Sequence, residues 1–157
     1  MKPLTIFIGA DHRGFLLKGQ IITLLRSLGH EVVDVGAYEP TPPCDYPRIS
    51  LEVGRNVAAH RNSRGILVCM TGIGHSIAAN KVPGVYAALC YNKEAAELSR
   101  QHNNANVLVL GAKFVGEKTM MEIIKIWLST EFEGGRHLRR INQIKAIEKK
   151  FSRADKK

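Results

Sequence analysis

Aromatic residues make up only 6% of this 157-residue chain, and there is a single tryptophan. A surface built to stack nucleic-acid bases needs such rings, and their scarcity argues against that function. No hydrophobic run reaches the length of a membrane span, and no signal-peptide pattern opens the sequence, so the expectation is a cytosolic protein with no membrane partner. The three cysteines, Cys44, Cys69 and Cys90, have neither metal-site spacing nor the count of a disulfide framework. Four of the six prolines fall in one loop, "GAYEPTPPCDYP" (36–47), which leaves the rest free for regular structure. Repeats, low-complexity tracts, the Walker phosphate loop and the dinucleotide fingerprint are all missing.

Charge is unevenly placed. The formal net charge is +9, but from Arg136 onward nine Lys/Arg stand against Glu148 and Asp155, a local +7. The body is therefore nearly neutral, and the basicity belongs to the C-terminal segment. A phosphate-bearing small molecule, a nucleic acid or plain solubility would each account for it. The nucleic-acid reading finds only Phe151 as a stacking platform in that segment. We divide the chain into a domain over 1–151 and a short basic tail over 152–157.

Short apolar runs at 4–8, 31–35, 65–69, 84–90 and 106–110 alternate with helical patterns at about 14–27, 48–61, 74–81, 93–102, 117–129 and 137–151. That alternation predicts an α/β fold with a doubly wound, Rossmann-like, five-stranded parallel sheet, flanking helices and a C-terminal helix, in strand order 2-1-3-4-5. In such sheets ligands bind beyond the carboxyl ends of the strands where the strand order reverses. The first and third strands flank that point and end in "GADHRG" (9–14) and "CMTGIG" (69–74), the most polar and glycine-rich turns present.

A thiol at the end of a buried strand, followed by glycines and a helix start, invites a chemical reading. Backbone N–H groups in such a turn cradle an anion, and their field lowers the pKa of a nearby thiol, so Cys69 is expected to carry substantial thiolate. A thiolate there suits either nucleophilic attack on a carbonyl or removal of a proton beside one; the bland alternative is a structural cysteine at a strand end. "SRQHNNAN" (99–106) sets His102 and Asn103 at a helix end. "EGGRHLRRI" (133–141) sets Arg136 and Arg140 four apart on one helical face, where they can clamp a phosphate or simply form a solvated basic face beside the apolar stripe Leu138, Ile141, Ile144 and Ile147.

Together "ADHRG", "DYP", "CMTGIGHSIAANK", "LSRQHNNANVL" and "EGGRHLRRI" resemble, in order, the motifs of ribose-5-phosphate isomerase type B, in a family that includes galactose-6-phosphate isomerase subunits. The resemblance covers roughly residues 4–150. It implies interconversion of ribose 5-phosphate and ribulose 5-phosphate through an enediolate, in the non-oxidative pentose phosphate pathway, with no metal and no cofactor; six-carbon sugar phosphates such as allose 6-phosphate or galactose 6-phosphate are the alternative substrates. It further implies that Cys69 moves the proton between C1 and C2, and that Asp11 and His12 hold substrate hydroxyls or phosphate. Thr71 and the N–H groups of Met70, Thr71, Gly72, Ile73 and Gly74 would cradle the anion. Asp45, Tyr46 and Lys113 would line the site, His102 would open the sugar ring with Asn103 beside it, and Arg136 and Arg140 would bind phosphate. The resemblance implies a homodimer with shared sites, the His102–Asn103 segment of each site coming from the partner subunit, and leaves open a dimer of dimers. Three positions depart from its usual pattern: Met70 replaces a glycine, Lys113 an arginine, and His75 stands where one branch lacking the cysteine carries a glutamate base. His75 either lines the pocket or occupies the helix start.

Overall fold

The computed structural model describes residues 2–152, without the side chain of Ser152. The basic tail therefore falls, apart from the backbone of Ser152, outside the described residues.

Five strands, β1 (Thr5–Ala10), β2 (Glu31–Asp34), β3 (Ser63–Cys69), β4 (Ala87–Leu89) and β5 (Val107–Gly111), form one parallel sheet. Six helices accompany them: α1 (Phe15–Ser27), α2 (Tyr46–Ala59), α3 (Ile73–Ala79), α4 (Lys93–Asn103), α5 (Glu117–Ser129) and α6 (Gly135–Ser152). The doubly wound α/β architecture is the expected one, but the strand order is 2-1-3-5-4 rather than 2-1-3-4-5. Burial explains the exchange. All five residues of β5 are buried, which requires cover on both faces and a neighbour on each side, whereas the three residues of β4 are half-buried and suit an edge.

Strand side chains alternate between two apolar layers, as a sheet covered on both faces demands. Ile6, Ile8, Ile66, Val68, Leu108 and Leu110 pack with α1 and α5 through Ile21, Leu25, Met120, Ile124 and Trp127. Phe7, Leu67, Val107 and Val109 face α2 through Val53 and Val57, and the segment after α3 through Val82 and Val85. In α1 the apolar period ends at Leu28, and Gly29, at φ +83°, turns the chain into β2. The loop over 36–45 is irregular as expected; Asp45 and Tyr46, expected within it, begin the next helix instead, Asp45 as the N-cap and Tyr46 as the first residue of α2.

Nothing in the sequence pattern marks Lys18 as buried. Its side chain is 2% exposed, and its Nζ donates to Asp34 Oδ1 at 2.6 Å, Asp34 Oδ2 at 2.8 Å and the Ala37 carbonyl at 2.6 Å. The pair ties α1 to the end of β2 beside the point where strand order reverses. Losing one partner of such a pair leaves an uncompensated charge and costs about 3 kcal/mol or more.

α6 lies outside this frame. Of the predicted apolar stripe only Ile141 is buried, while Leu138, Ile144 and Ile147 are 46%, 41% and 58% exposed. Glu148 fastens the helix by accepting the Gly84 N–H at 2.8 Å. Among the described residues no helix is long and apolar enough to cross a membrane.

Candidate active site

β1 and β3 lie side by side in register, with Ala10 opposite Val68, so Asp11 and Cys69 emerge together at the carboxyl edge of the sheet. The turn after β1 is set by Asp11, whose Oδ1 accepts the N–H groups of Arg13 at 3.0 Å and Gly14 at 3.1 Å. Gly14 is required because a Cβ there would strike the Val68 carbonyl. The carboxylate is buried at 8% exposure, with its Oδ1 held by backbone.

Cys69 ends β3, 6% exposed, and its sulfur accepts the Gly72 N–H at 3.0 Å. Gly72 has φ +82°, and a Cβ would collide with the Leu89 side chain and crowd the backbone of Leu110, so the turn that brings this N–H to the sulfur depends on glycine. The expectation of a lowered thiol pKa is corrected here. Burial raises it, the Gly72 N–H draws it back in part, and the Asp11 carboxylate adds to the rise. Desolvation of a charge outweighs one hydrogen bond, so the fold favours the thiol form of Cys69.

The rest of the turn is equally fixed. Thr71 Oγ1 accepts the Ile73 N–H at 3.3 Å, and the Thr71 carbonyl accepts from the Tyr91 hydroxyl at 2.9 Å. The cradle expected from residues 70–74 is thus partly occupied, since the Gly72 and Ile73 N–H groups already serve Cys69 and Thr71. Met70 is half-buried, with its Sδ 3.5 Å from Arg13 Nη1. Lys113 is exposed, but its backbone N–H donates to the Met70 carbonyl at 2.9 Å, joining the turns after β3 and β5. His12 Nδ1 accepts the Cys44 N–H at 3.4 Å, drawing the proline-rich loop to the same edge. Tyr46 stands edge-on to His75, ring centroids 5.6 Å apart, and closes over Gly74. Asp45 is exposed at the start of α2. His75 is fully buried, with one ring nitrogen, the Cys69 sulfur and an Asp11 oxygen all within 4.8 Å of one another.

His102, Asn103, Arg136 and Arg140 are elsewhere. α4 runs back against the strand direction, and the segment after it joins the amino ends of the strands: the Asn106 N–H donates to the Tyr86 carbonyl just before β4, and the Asn106 carbonyl accepts the Gly65 N–H. Since Gly65 pairs with Val107 and Cys69 with Gly111, the two edges are four residues apart along β3, about 13 Å. There the His102 ring stacks on His137 with centroids 4.2 Å apart and planes 3° from parallel. Arg136 Nε donates to His137 Nε2 at 3.3 Å, and Glu133 lies 3.6 Å from the same nitrogen. The Glu133 N–H donates to the Gln101 carbonyl, fixing the entry to α6. Lost hydration, then the neighbouring His102 ring and the Arg136 charge, lower the pKa of His137. His102, Glu133 and His137 bring ligand atoms within 4.8 Å, but Arg136 and Arg140, on the same helix as His137, favour an anion over a cation at this end. Sequence reasoning missed His137 and Glu133. His137 neighbours Arg136 in a quoted motif, and its four-residue spacing from Glu133 was the available signal.

Residues 6–144 match the model of the ribose/galactose isomerase family. The chain belongs to that family. The family resemblance read from the sequence motifs therefore holds. Ribose-5-phosphate isomerase B of Escherichia coli (strain K12) is 43% identical over 145 residues, covering 92% of this chain and 97% of that protein. Among solved structures, ribose-5-phosphate isomerase B of Clostridium thermocellum superposes with a TM-score of 0.91 at 46% identity, over 94% of this chain and 99% of the other. The Mycoplasma genitalium ribose-5-phosphate isomerase B, solved with bound ribulose-5-phosphate, gives 0.90 at 43% identity, over 92% and 96%. Within the ribose/galactose isomerase family, this chain has its thiol, carboxylate and imidazole at one edge of the sheet and its basic cluster at the other.

Proposed function

We propose that the protein interconverts ribose 5-phosphate and ribulose 5-phosphate, with residues 1–151 as the isomerase unit. The observation that carries this reading is the Cys69 sulfur, held by the Gly72 N–H at the carboxyl edge of the sheet beside Asp11. Aldose–ketose exchange needs a base that removes the C2 proton and returns it to C1, and donors that receive the developing oxygen charge. In its thiolate form Cys69 takes the C2 proton. The C–H electron pair enters the C1–C2 bond, and charge collects on O1 before the glycine-rich turn. The proton then goes from sulfur to C1, while a hydroxyl proton leaves O2 and one arrives on O1, an exchange that Asp11 Oδ2 can serve. One well-placed donor to such an oxyanion is worth about 3 kcal/mol in barrier.

The ring oxygen needs an acid, and the phosphate needs more cationic partners than Arg13 and Lys113 supply at this edge. His102, Asn103, Arg136 and Arg140 have the required chemistry, but lie at the other end of the same chain. We infer that the active protein is a homodimer in which each site takes Cys69 and Asp11 from one copy and His102 and the arginines from the other. The exposed apolar residues Leu138, Ile144 and Ile147 on α6, and Ile73 and Ile77 on α3, support this reading, because a second copy would remove them from water. The enzyme would then work in the cytoplasm, in the non-oxidative pentose phosphate pathway.

The test is conversion of ribose 5-phosphate in metal-free buffer with excess EDTA, by the wild-type protein and by Cys69→Ala. Activity that collapses in the variant supports the reading. A fully active variant refutes Cys69 as the base. A wild-type protein inactive on ribose 5-phosphate but active on allose 6-phosphate or galactose 6-phosphate would move the assignment to six-carbon sugars.

A further inference from the structure

His75 is buried without the partners a structural histidine normally has. Its Nδ1 lies 2.6 Å from Ser50 Oγ, but no hydrogen-bond partner among the described residues meets Nε2. The tautomer that makes both Ser50 contacts hydrogen bonds gives the Ser50 hydrogen to the Tyr46 carbonyl at 3.0 Å and has His75 Nδ1–H donate to Ser50 Oγ at 2.6 Å, which leaves Nε2 as a bare lone pair. The groups facing this ring are the Cys69 thiol from β3, the Asp11 carboxylate from the end of β1 and the Tyr46 phenol from α2.

Charge makes this arrangement consequential. A lone Cys69 thiolate would be a second buried anion within 4.8 Å of Asp11, in surroundings that already resist ionisation. A proton acceptor inside the cluster removes that cost, because transfer from sulfur to imidazole leaves the net charge of the site unchanged. We propose that His75 accepts the Cys69 thiol proton through Nε2 and so prepares the sulfur for the sugar, with Ser50 as the positioning residue. The proposal rests on the isomerase reading above for its substrate, but the proton transfer itself does not need the sugar.

The balance is simple. The S–H bond breaks and an Nε2–H bond forms, giving a thiolate that faces Gly72 N–H and an imidazolium beside Asp11. The thiolate then takes the carbon-bound proton of the substrate and later returns it to the neighbouring carbon, and His75 hands its own proton back to sulfur when the site resets. Burial holds His75 neutral in the resting chain, with its pKa down at about 4. The negative charge appearing on the sulfur supplies the pull for protonation.

Alkylation of Cys69 by iodoacetamide as a function of pH, with the modified cysteine located by peptide mass spectrometry, reads the thiolate directly. In His75→Gln we expect the alkylation midpoint to rise by about one pH unit and the pH 7 rate to fall about tenfold, as loss of a proton-accepting neighbour implies. Isomerase kcat should fall with KM little changed, and recover at alkaline pH. Ser50→Ala keeps the imidazole but frees its tautomer, so a smaller shift in the same direction is expected; should His75→Gln fail to fold, this variant decides. Coincident alkylation profiles in wild type and His75→Gln, or in wild type and Ser50→Ala if only that variant folds, would overturn the proposal even if the enzyme isomerises ribose 5-phosphate. A His75-dependent profile in a protein inactive on sugar phosphates would uphold the pair and reject the sugar.

Discussion

The two edges of the sheet are built differently. At the carboxyl edge, Asp11, Cys69 and His75 are nearly or fully buried, and each is held by backbone or by a neighbouring side chain. At the amino edge, Arg136 and Arg140 are exposed on the first turns of α6, Asn103 is exposed, and only His137 is buried beneath the His102 ring. Reaction chemistry needs dry, fixed groups, because a buried dipole or charge acts more strongly than a hydrated one. Phosphate capture needs cations that can meet an incoming dianion. On the proposed reading each edge carries part of the requirement, and about 13 Å of sheet separates the two within one chain.

The largest effect should come from breaking the two edges in separate molecules. Cys69→Ala and His102→Ala, each alone, should lose about 100- to 10,000-fold in kcat, the usual worth of a positioned acid or base. If sites are shared, unfolding and refolding an equal mixture should restore activity to about a quarter of the wild-type level, since half the dimers are mixed and each carries one intact site. Unrestored activity in a mixture shown by mass spectrometry to contain mixed dimers would place both residues in one chain's site.

The next prediction concerns the buried edge alone. His75 has its pKa lowered from 6.5 to about 4, so the unfolded chain binds more protons than the folded one between those values. Stability from this group is fully present above about pH 6.5 and is lost as the pH falls toward 4, up to about 3 kcal/mol. Urea unfolding at pH 7 and pH 4.5 should show that loss, and His75→Gln should flatten the slope. An unchanged slope would mean that His75 is not the buried neutral group described here.

How far these features could be read beforehand follows from local and non-local physics. The alternation of apolar runs and helical periods, the glycine stop at Gly29 and the turn around Cys69 are local, and all were legible. The position of β5 inside β4 was not, because strand order depends on which run is buried on both faces. The separation of Cys69 from His102 depends on the direction of α4, which periodicity does not report; only the family resemblance, which assigns the His102–Asn103 segment to a partner subunit, implied it. Lys18 read as an ordinary helical lysine, and its burial follows from an Asp34 partner sixteen residues away. The thiol pKa went the other way because the turn supplies a hydrogen bond locally, whereas the opposing desolvation comes from the whole fold.

A smaller effect should follow from the exposed edge. Arg136→Ala is expected to raise KM for the sugar phosphate about 10- to 30-fold with a lesser change in kcat, because phosphate binding lies remote from the reacting carbons. Arg136→Lys should recover part of that loss, since lysine keeps the charge and loses the bidentate fork. Steady-state kinetics on both variants would separate the terms. A kcat loss as large as that of Cys69→Ala would show that the two edges are not divided between chemistry and capture.

The smallest change sharpens the same division from the buried side. Met70 follows Cys69, at the position where the family resemblance implies a glycine, and its sulfur touches the Arg13 guanidinium at 3.5 Å, so its side chain sits between the turns after β1 and β3. Its backbone carbonyl is already committed to the Lys113 N–H, so the turn's path does not rely on the side chain. Met70→Gly should therefore leave the Cys69–Gly72 hydrogen bond in place and change kcat by less than about threefold, within the ordinary range for a contact outside the reacting groups. What should change is access: removing the side chain frees Arg13 and widens the mouth of the site, which favours longer sugars relative to ribose 5-phosphate. Comparing kcat/KM for five- and six-carbon sugar phosphates in the two proteins measures this directly. A ratio that stays fixed would remove Met70 from the residues that set substrate length and leave that task to the 36–45 loop, which His12 holds through Cys44.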